Sequence, residues 1–335
     1  MRAKILGLYA ILAVGNLLAW GWALIEFNGD PVLLGTALLA YTFGLRHAVD
    51  ADHIAAIDNV TRKLMQEGQQ PVAVGFFFSL GHASVVALAC AAVALTANAL
   101  QSRFASFQQW GGLIGTSLSV FFLFVVAAAN IYVLGGVYRS FTTVRRGGAL
   151  VEADLETYLA KRGVLARMLR PLFYLIGKSH HMFPLGFVFG LGFETATEIA
   201  LLGIAADAAK GTAVWTIMIF PALFAAGMTL VDTTDSVLMV GAYGWAFVKP
   251  IRKLYYNLVI TFVSVVVAVV VGGIEALGLM ADRLGLEGPF WDLVSLLNEN
   301  FGSLGYVIIG LFVASWGISI GVYRFMRYDE LDAGR

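Results

Sequence analysis

The run Arg46-His47-Ala48-Val49-Asp50-Ala51-Asp52-His53 puts two imidazoles, two carboxylates and a guanidinium inside a stretch that is otherwise apolar. Imidazole nitrogen together with carboxylate oxygen suits a divalent first-row metal such as nickel, cobalt, copper or zinc. At about 100° per residue, His47, Asp50 and His53 share one face of a helix, and Asp52 falls on the opposite side. Either a second partner meets Asp52, or the helix is locally broken so that all four side chains converge. Discontinuous helices are common where membrane proteins hold ions at mid-depth. The bland alternative is a polar knot whose members only satisfy one another. An ionisable cluster at membrane depth is costly and marks a functional site by default.

Three further apolar stretches carry groups that could complete such a site. Ser79-Leu80-Gly81-His82-Ala83-Ser84 offers a third imidazole beside a glycine, a residue that lets another helix approach closely. His82 is read either as a further ligand or as an interhelical hydrogen-bonding group. Glu194 and Glu198, at i and i+4, face the same way one turn apart. They repel one another unless a cation lies between them, and Arg46 or a metal could fill that role. Thr229-Leu230-Val231-Asp232-Thr233-Thr234-Asp235 adds two more carboxylates in a polar stripe. Arg46 could equally pair with Asp50, Glu198 or one of these aspartates. His180 and His181 read as a solvated interfacial pair, with metal collection as the alternative.

The elements that must position these groups are membrane helices. Of 335 residues, 59% are hydrophobic and 13% charged, and the mean hydropathy is +0.80; soluble domains carry about 25% charged residues. Stretches of about 20 apolar residues cross a bilayer as helices. Eight are predicted, at 5–27, 32–58, 72–98, 111–138, 182–206, 212–240, 254–278 and 303–325. Eighteen of the 22 Lys and Arg residues fall on one side of them, eight in the long connection 139–181. By the positive-inside rule, both termini and that connection are cytoplasmic. The first apolar run reads as a retained helix, not a signal peptide. The expected architecture is an all-α polytopic membrane helix bundle forming one domain over 1–335.

Within 139–181, the stretch 149–172 reads as an interfacial amphipathic helix or a solvated linker. The connection 282–302, which bears Asp, Glu and Asn, reads as a polar connection, with concentration of cations as the alternative. Phe43-Gly44-Leu45 precedes the His/Asp cluster, and Phe189-Gly190-Leu191 precedes Glu194 and Glu198. Three spans apart, this echo would suit an inverted repeat with a site at the repeat interface.

Several functions are disfavoured. The net charge is zero and no basic cluster interleaves with aromatics, so nucleic acid is not an expected partner. Cys90 is the only cysteine, which forbids an internal disulfide, and it lies in an apolar run as a packing residue. There is no G-x4-G-K-[ST] phosphate loop, so the chain is not expected to hydrolyse ATP. Its five histidines form neither the repeated boxes of a di-iron desaturase nor H-E-x-x-H, which argues against a membrane metalloenzyme.

Arg46-His47-Ala48-Val49-Asp50-Ala51-Asp52-His53-Ile54 resembles the signature of the nickel/cobalt transporter (NiCoT) family, an H-x4-D-H pattern in the second helix. Three more stretches resemble that family, in order: Phe78-Ser79-Leu80-Gly81-His82, Leu191-Gly192-Phe193-Glu194-Thr195-Ala196-Thr197-Glu198, and Gly227-Met228-Thr229-Leu230-Val231-Asp232-Thr233-Thr234-Asp235. The resemblance covers essentially the whole chain. It implies high-affinity uptake of Ni²⁺ or Co²⁺ across a prokaryotic cytoplasmic membrane, with metal passed on to enzymes such as hydrogenase or urease, and a cytoplasmic metallochaperone as a candidate recipient. It also implies that His47, Asp50, Asp52 and His53 are essential, with Arg46, His82, Glu194, Glu198, Asp232 and Asp235 supporting. Two positions depart from the family pattern: Glu194 stands where Asp is frequent, and Ala83 where Ser or Thr is frequent. A longer carboxylate and a missing hydroxyl would alter site size and so metal preference.

The expected function is therefore a secondary permease for Ni²⁺ or Co²⁺, with the metal ion and the lipid bilayer as partners and no cofactor of its own. A divalent-metal exporter is the alternative. Export would favour a long His-rich loop, whereas 139–181 is Arg-rich with a His pair only at its end.

Overall fold

A computed structural model describes residues 1–96, 101–145, 176–191, 201, 204, 213–246 and 250–325. The elements are α1 (Arg2–Glu26), α2 (Pro31–His47), α3 (Ala51–Gln66), α4 (Val74–Thr96), α5 (Gln101–Arg145), α6 (Met182–Gly190), α7 (Val214–Ile217), α8 (Ile219–Ala246), α9 (Pro250–Leu284), α10 (Pro289–Glu299) and α11 (Phe301–Phe325). A 3₁₀ turn, Ser179–His181, leads into α6. Among the described residues there is no strand.

Four helical stretches are long and apolar enough to cross a membrane: Arg2–Glu26, Val74–Leu95, Val214–Gly244 and Leu258–Leu284. The number rises to six when two sharply bent helix pairs each count as one span. Each of the eight predicted stretches overlaps one of these helices. Of the remaining predicted stretches, 111–138 holds the shorter apolar segment Leu113–Ala128 within α5, and most of 182–206 lies outside the described residues.

The stretch 32–58 comprises α2 and α3, bent by 51°; a local break was one of the two arrangements the sequence allows. One expectation is corrected. The connection 282–302 is not simply polar, because it folds into α10, started by Pro289 and exposing Phe290, Leu293 and Leu296. The stretch 149–172 lies outside the described residues.

Local chemistry explains where α2 begins and ends. Asp30 caps it, its Oδ1 accepting from the backbone N–H groups of Val32 and Leu33 at 3.0 Å, and Pro31 supplies the pre-set φ of a first turn. Its end falls within the polar motif. Asp50 takes extended backbone angles (φ −64°, ψ 148°) and starts α3 as its N-cap residue. The break therefore occupies 48–50, between the two histidines.

α3 is polar in sequence yet central in the bundle. Every residue from Ala51 to Leu64 is buried except Asp52, which is half-buried. α1, by contrast, exposes Leu6, Leu17 and Ile25. Apolar side chains outside and a polar helix inside is the arrangement a bilayer demands, since lipid gives polar groups nothing to bond to.

The helices around α3 approach closely at glycines. A Cβ on Gly81 of α4 would overlap the Phe183 carbonyl oxygen of α6, and one on Gly186 would overlap the Phe78 carbonyl of α4. The α2–α8 contact repeats this reciprocity, with Gly44 against the Phe224 carbonyl and Gly227 against that of Tyr41. Without a hydrophobic drive inside lipid, such backbone proximity is what packs membrane helices.

Candidate metal centre

His47 is the last residue of α2, Asp50 caps α3, His53 lies in the first turn of α3, and His82 projects from α4. The break between α2 and α3 brings the three imidazoles together. One ring nitrogen from each of His47, His53 and His82 lies within 4.8 Å of the others. His47 Nε2 and His82 Nε2 are 2.9 Å apart. All three side chains are buried.

Carboxylates hold two of the rings. His47 Nδ1 is 3.1 Å from Asp50 Oδ2, and His53 Nδ1 is 3.2 Å from Asp232 Oδ2. A carboxylate on one imidazole nitrogen fixes the ring and raises the basicity of the other, the usual support behind a metal-binding histidine. Asp232 is itself anchored: the Ser79 hydroxyl donates to its Oδ2 at 2.6 Å. One turn on from Asp232, Ser236 Oγ accepts the Gly75 N–H at 2.7 Å. Gly75 must be glycine for this contact, because a Cβ there would overlap the Asp232 carbonyl oxygen. His53 Nε2, the nitrogen not held by Asp232, has no hydrogen-bond partner among the described residues. The Phe78 ring stands edge-on to His53 at 4.8 Å between centroids, and Phe224 lies 5.4 Å from His47, so the imidazoles sit against apolar walls.

A cavity of about 510 Å³ reaches His47 and His82 of the trio from one end of the bundle. His47, His82 and Asp52 line its depth, Thr116 and Glu275 its wall, and the exposed Asp282 and Glu299 its mouth. Asp52 thus faces the cavity rather than the His47–His53–His82 cluster. The buried Glu275 accepts from Ser119 Oγ at 2.9 Å.

The other expected residues fall as follows. Asp235 lies one turn along α8 from Asp232, half-buried, with Oδ2 lacking a hydrogen-bond partner among the described residues. Arg46 is exposed and forms no ion pair among the described residues, so no carboxylate there balances it. Glu194 and Glu198 lie outside the described residues. His180 is exposed, while His181 Nδ1 accepts the Gly177 N–H at 3.1 Å.

Sequence reasoning gave His82 a subsidiary place, whereas the structure sets it in the imidazole cluster. Ser79 was passed over as a neighbour of His82, although a hydroxyl one turn before a histidine was the available signal. The lone Glu275 near the end of an apolar run was a second signal.

A bundle of apolar helices enclosing imidazoles and carboxylates, reached by a polar cavity, defines a multi-pass membrane transport protein rather than an enzyme. The chain belongs to the high-affinity nickel-transport protein family (NicO), whose model matches residues 33–322. It is 58% identical over 330 residues to the high-affinity nickel transport protein of Cupriavidus necator, covering 98% of this chain and 94% of that protein. It is 45% identical over 335 residues to the nickel transporter NicT of Mycobacterium tuberculosis, covering 96% and 89%. It is 39% identical over 324 residues to the cobalt transport protein NhlF of Rhodococcus rhodochrous, covering 94% and 90%. No solved structure matches the chain.

Proposed function

We propose that the protein is a secondary permease that takes up Ni²⁺ or Co²⁺ across the cytoplasmic membrane of a prokaryote. One observation carries this reading: His47, His53 and His82 converge at the α2–α3 break, beside Asp50 and at the bottom of a polar cavity. The ion enters that cavity past Glu299, Asp282 and Glu275. It exchanges water for imidazole nitrogens, with Asp50 and Asp52 as the nearby carboxylates and Asp232 orienting His53. Borderline metals favour such nitrogen and oxygen donors, and neither nickel nor cobalt is preferred by donor type alone. The relatives named for nickel and for cobalt support both cargoes.

The whole chain acts as one transporter domain, with eight crossings and both termini cytoplasmic. The Lys/Arg asymmetry supports this orientation. The two Phe-Gly-Leu tripeptides each stand at the end of a helix, α2 and α6, just before an acidic motif, which supports an inverted repeat. Glu194, Glu198 and Asp235 serve as relay groups, and Arg46 acts outside the donor set. Moving one charge through 100 mV is worth about 2.3 kcal/mol, so a divalent ion gains about 4.6 kcal/mol. That drives inward flow without nucleotide hydrolysis. A cytoplasmic metallochaperone then takes the ion.

The test is uptake of ⁶³Ni²⁺ at submicromolar metal by cells expressing the chain, with Co²⁺, Zn²⁺ or Mn²⁺ in excess as competitor. Saturable uptake, competed chiefly by Co²⁺ and lost in His53→Ala, is the expected result. Uptake only in inverted vesicles would overturn the direction, and uptake that survives His53→Ala would overturn the site.

A further inference from the structure

Beyond the imidazoles, away from the cavity, α3 carries a second polar cluster that the transport reading leaves unused. Asp58 lies five residues after His53, about 7.5 Å along the helix, and Arg62 a further turn on, at about 13.5 Å. Both are fully buried, at 0% and 1% exposure. Asp58 accepts hydrogen bonds from the Tyr243 hydroxyl of α8 and, at 2.6 Å, from Ser264 Oγ of α9. Arg62 Nη2 donates to Asn59 Oδ1 at 2.9 Å, and Asn130 of α5 donates to the same oxygen at 2.6 Å. Four helices, α3, α5, α8 and α9, are thus tied through two neighbouring α3 side chains.

The tie is strong at one end and incomplete at the other. Arg62 Nε stands 4.0 Å from Asp58 Oδ2, beyond hydrogen-bond range. Arg62 Nε and Nη1 have no hydrogen-bond partner among the described residues. A bidentate arginine–carboxylate pair would close to about 2.8 Å. Buried ion pairs rarely repay their desolvation, and one with unsatisfied N–H groups repays less. Such a pair is poorly explained as a stability device. It is well placed as a contact that breaks and re-forms.

Its position says what breaking would do. The imidazoles are reached by the cavity on one side, with Asp52, in the residue before His53, lining it. On the other side the same helix carries the fully buried Asp58–Arg62 cluster. We propose that this cluster is the gate opposite the cavity: Asp58 and Asn59, both held by Arg62 on the same helix, latch α3 to α8, α9 and α5 while the cavity is open, and release them when the metal passes. The proposal rests on the transport reading. Asp58 and Arg62 are positioning residues that act on the helices around the metal, not on the metal. The latch works by population: weakening contacts made only in the cavity-open state shifts the chain towards the other state.

Reciprocal thiol accessibility tests it. In a Cys90→Ser background, Thr116→Cys places a thiol on the cavity wall, and Thr61→Cys places one at the gate, where Thr61 is fully buried. The purified full chain in detergent is labelled with a hydrophilic methanethiosulfonate, without metal. Adding Arg62→Gln is expected to speed labelling at Thr61→Cys and slow it at Thr116→Cys, each by at least about tenfold, as expected when a minor state becomes the major one. Arg62→Lys, which keeps the charge, is expected to restore much of the original pattern. Faster labelling at both positions would mean loosened packing only, and unchanged labelling at both would mean no gate; either overturns the proposal. Because labelling needs no metal, absent ⁶³Ni²⁺ uptake in the parent chain would sink the transport reading separately.

Discussion

His47 Nε2 and His82 Nε2 stand 2.9 Å apart across the α2–α4 contact, although 35 residues separate them in sequence. Without metal, one nitrogen must donate to the other. With metal–nitrogen bonds of about 2.0–2.1 Å, donors at right angles are about 2.9 Å apart and tetrahedral donors about 3.3 Å apart. The pair is therefore spaced to take one ion with little movement. X-ray absorption of the nickel-loaded protein is expected to show scattering from at least two imidazoles, and His82→Ala to remove one of them. The same variant is expected to weaken nickel binding by at least about tenfold, a loss as large as removal of a supporting partner causes. An unchanged imidazole count in His82→Ala would leave that residue outside the donor set.

Asp232 holds His53 rather than facing the cavity, so its loss should weaken affinity and spare turnover. Asp232→Asn is expected to raise KM for nickel uptake by about 10–100-fold, the range for removing the partner of a ligating histidine. Ser79→Ala, which removes only the hydroxyl that steadies Asp232, is expected to move KM the same way by less. Initial uptake rates across a metal titration separate the two parameters. A fall in Vmax at constant KM would contradict this role.

Protons compete with metal for imidazole lone pairs, so the sign of the pH effect is fixed. Lowering the pH fills the nitrogens that the ion needs. Uptake at limiting nickel is expected to fall between pH 7.5 and pH 5.5, by at most about tenfold per pH unit for each proton that the metal must displace. Uptake measured across this interval at fixed membrane potential checks it; a flat profile would argue against imidazole ligation.

Gly75 and Gly81 are predicted to be structural positions with functional consequences. A side chain at Gly75 meets the Asp232 carbonyl, and one at Gly81 meets the Phe183 carbonyl, and both obstacles are backbone. Gly75→Val and Gly81→Val are each expected to cost at least about 1–3 kcal/mol, the usual penalty of overpacking. Thermal unfolding in detergent should register the loss in both. Gly75→Val should also weaken nickel binding in the protein that still folds, because it displaces the helix that carries Asp232.

Much of this was legible in the chain. Composition gave the solvent, and the length of the apolar runs gave helices. The signature around His47 and His53 marked the candidate centre because ionisable groups at membrane depth are too costly to be incidental. Periodicity failed at one point with consequences. Read as a continuous helix, 46–53 carries His47 and His53 on one straight element, yet the backbone breaks at 48–50, and Asp50 becomes a cap. Propensity hints at this, since aspartate favours helix starts, but an Asp inside an apolar helix gives the same letters. His82 and Asp232 were visible as polar residues in separate spans; their meeting at His47 and His53 was not.

By itself, then, the sequence determined that the chain is an all-helical membrane protein with imidazole and carboxylate chemistry near residue 50, and its motifs placed it with nickel and cobalt carriers. Those properties follow from local composition and from residue types at short range. Tertiary structure alone decided that His47 meets His82, that Asp232 and Ser79 stand behind His53, and that Asp58 and Asn59 bind four helices together. The physical reason lies in the close approaches at Gly75, Gly81 and Gly186, which set helix distances and rotations. A contact between distant segments depends on those rotations, and no local pattern encodes them.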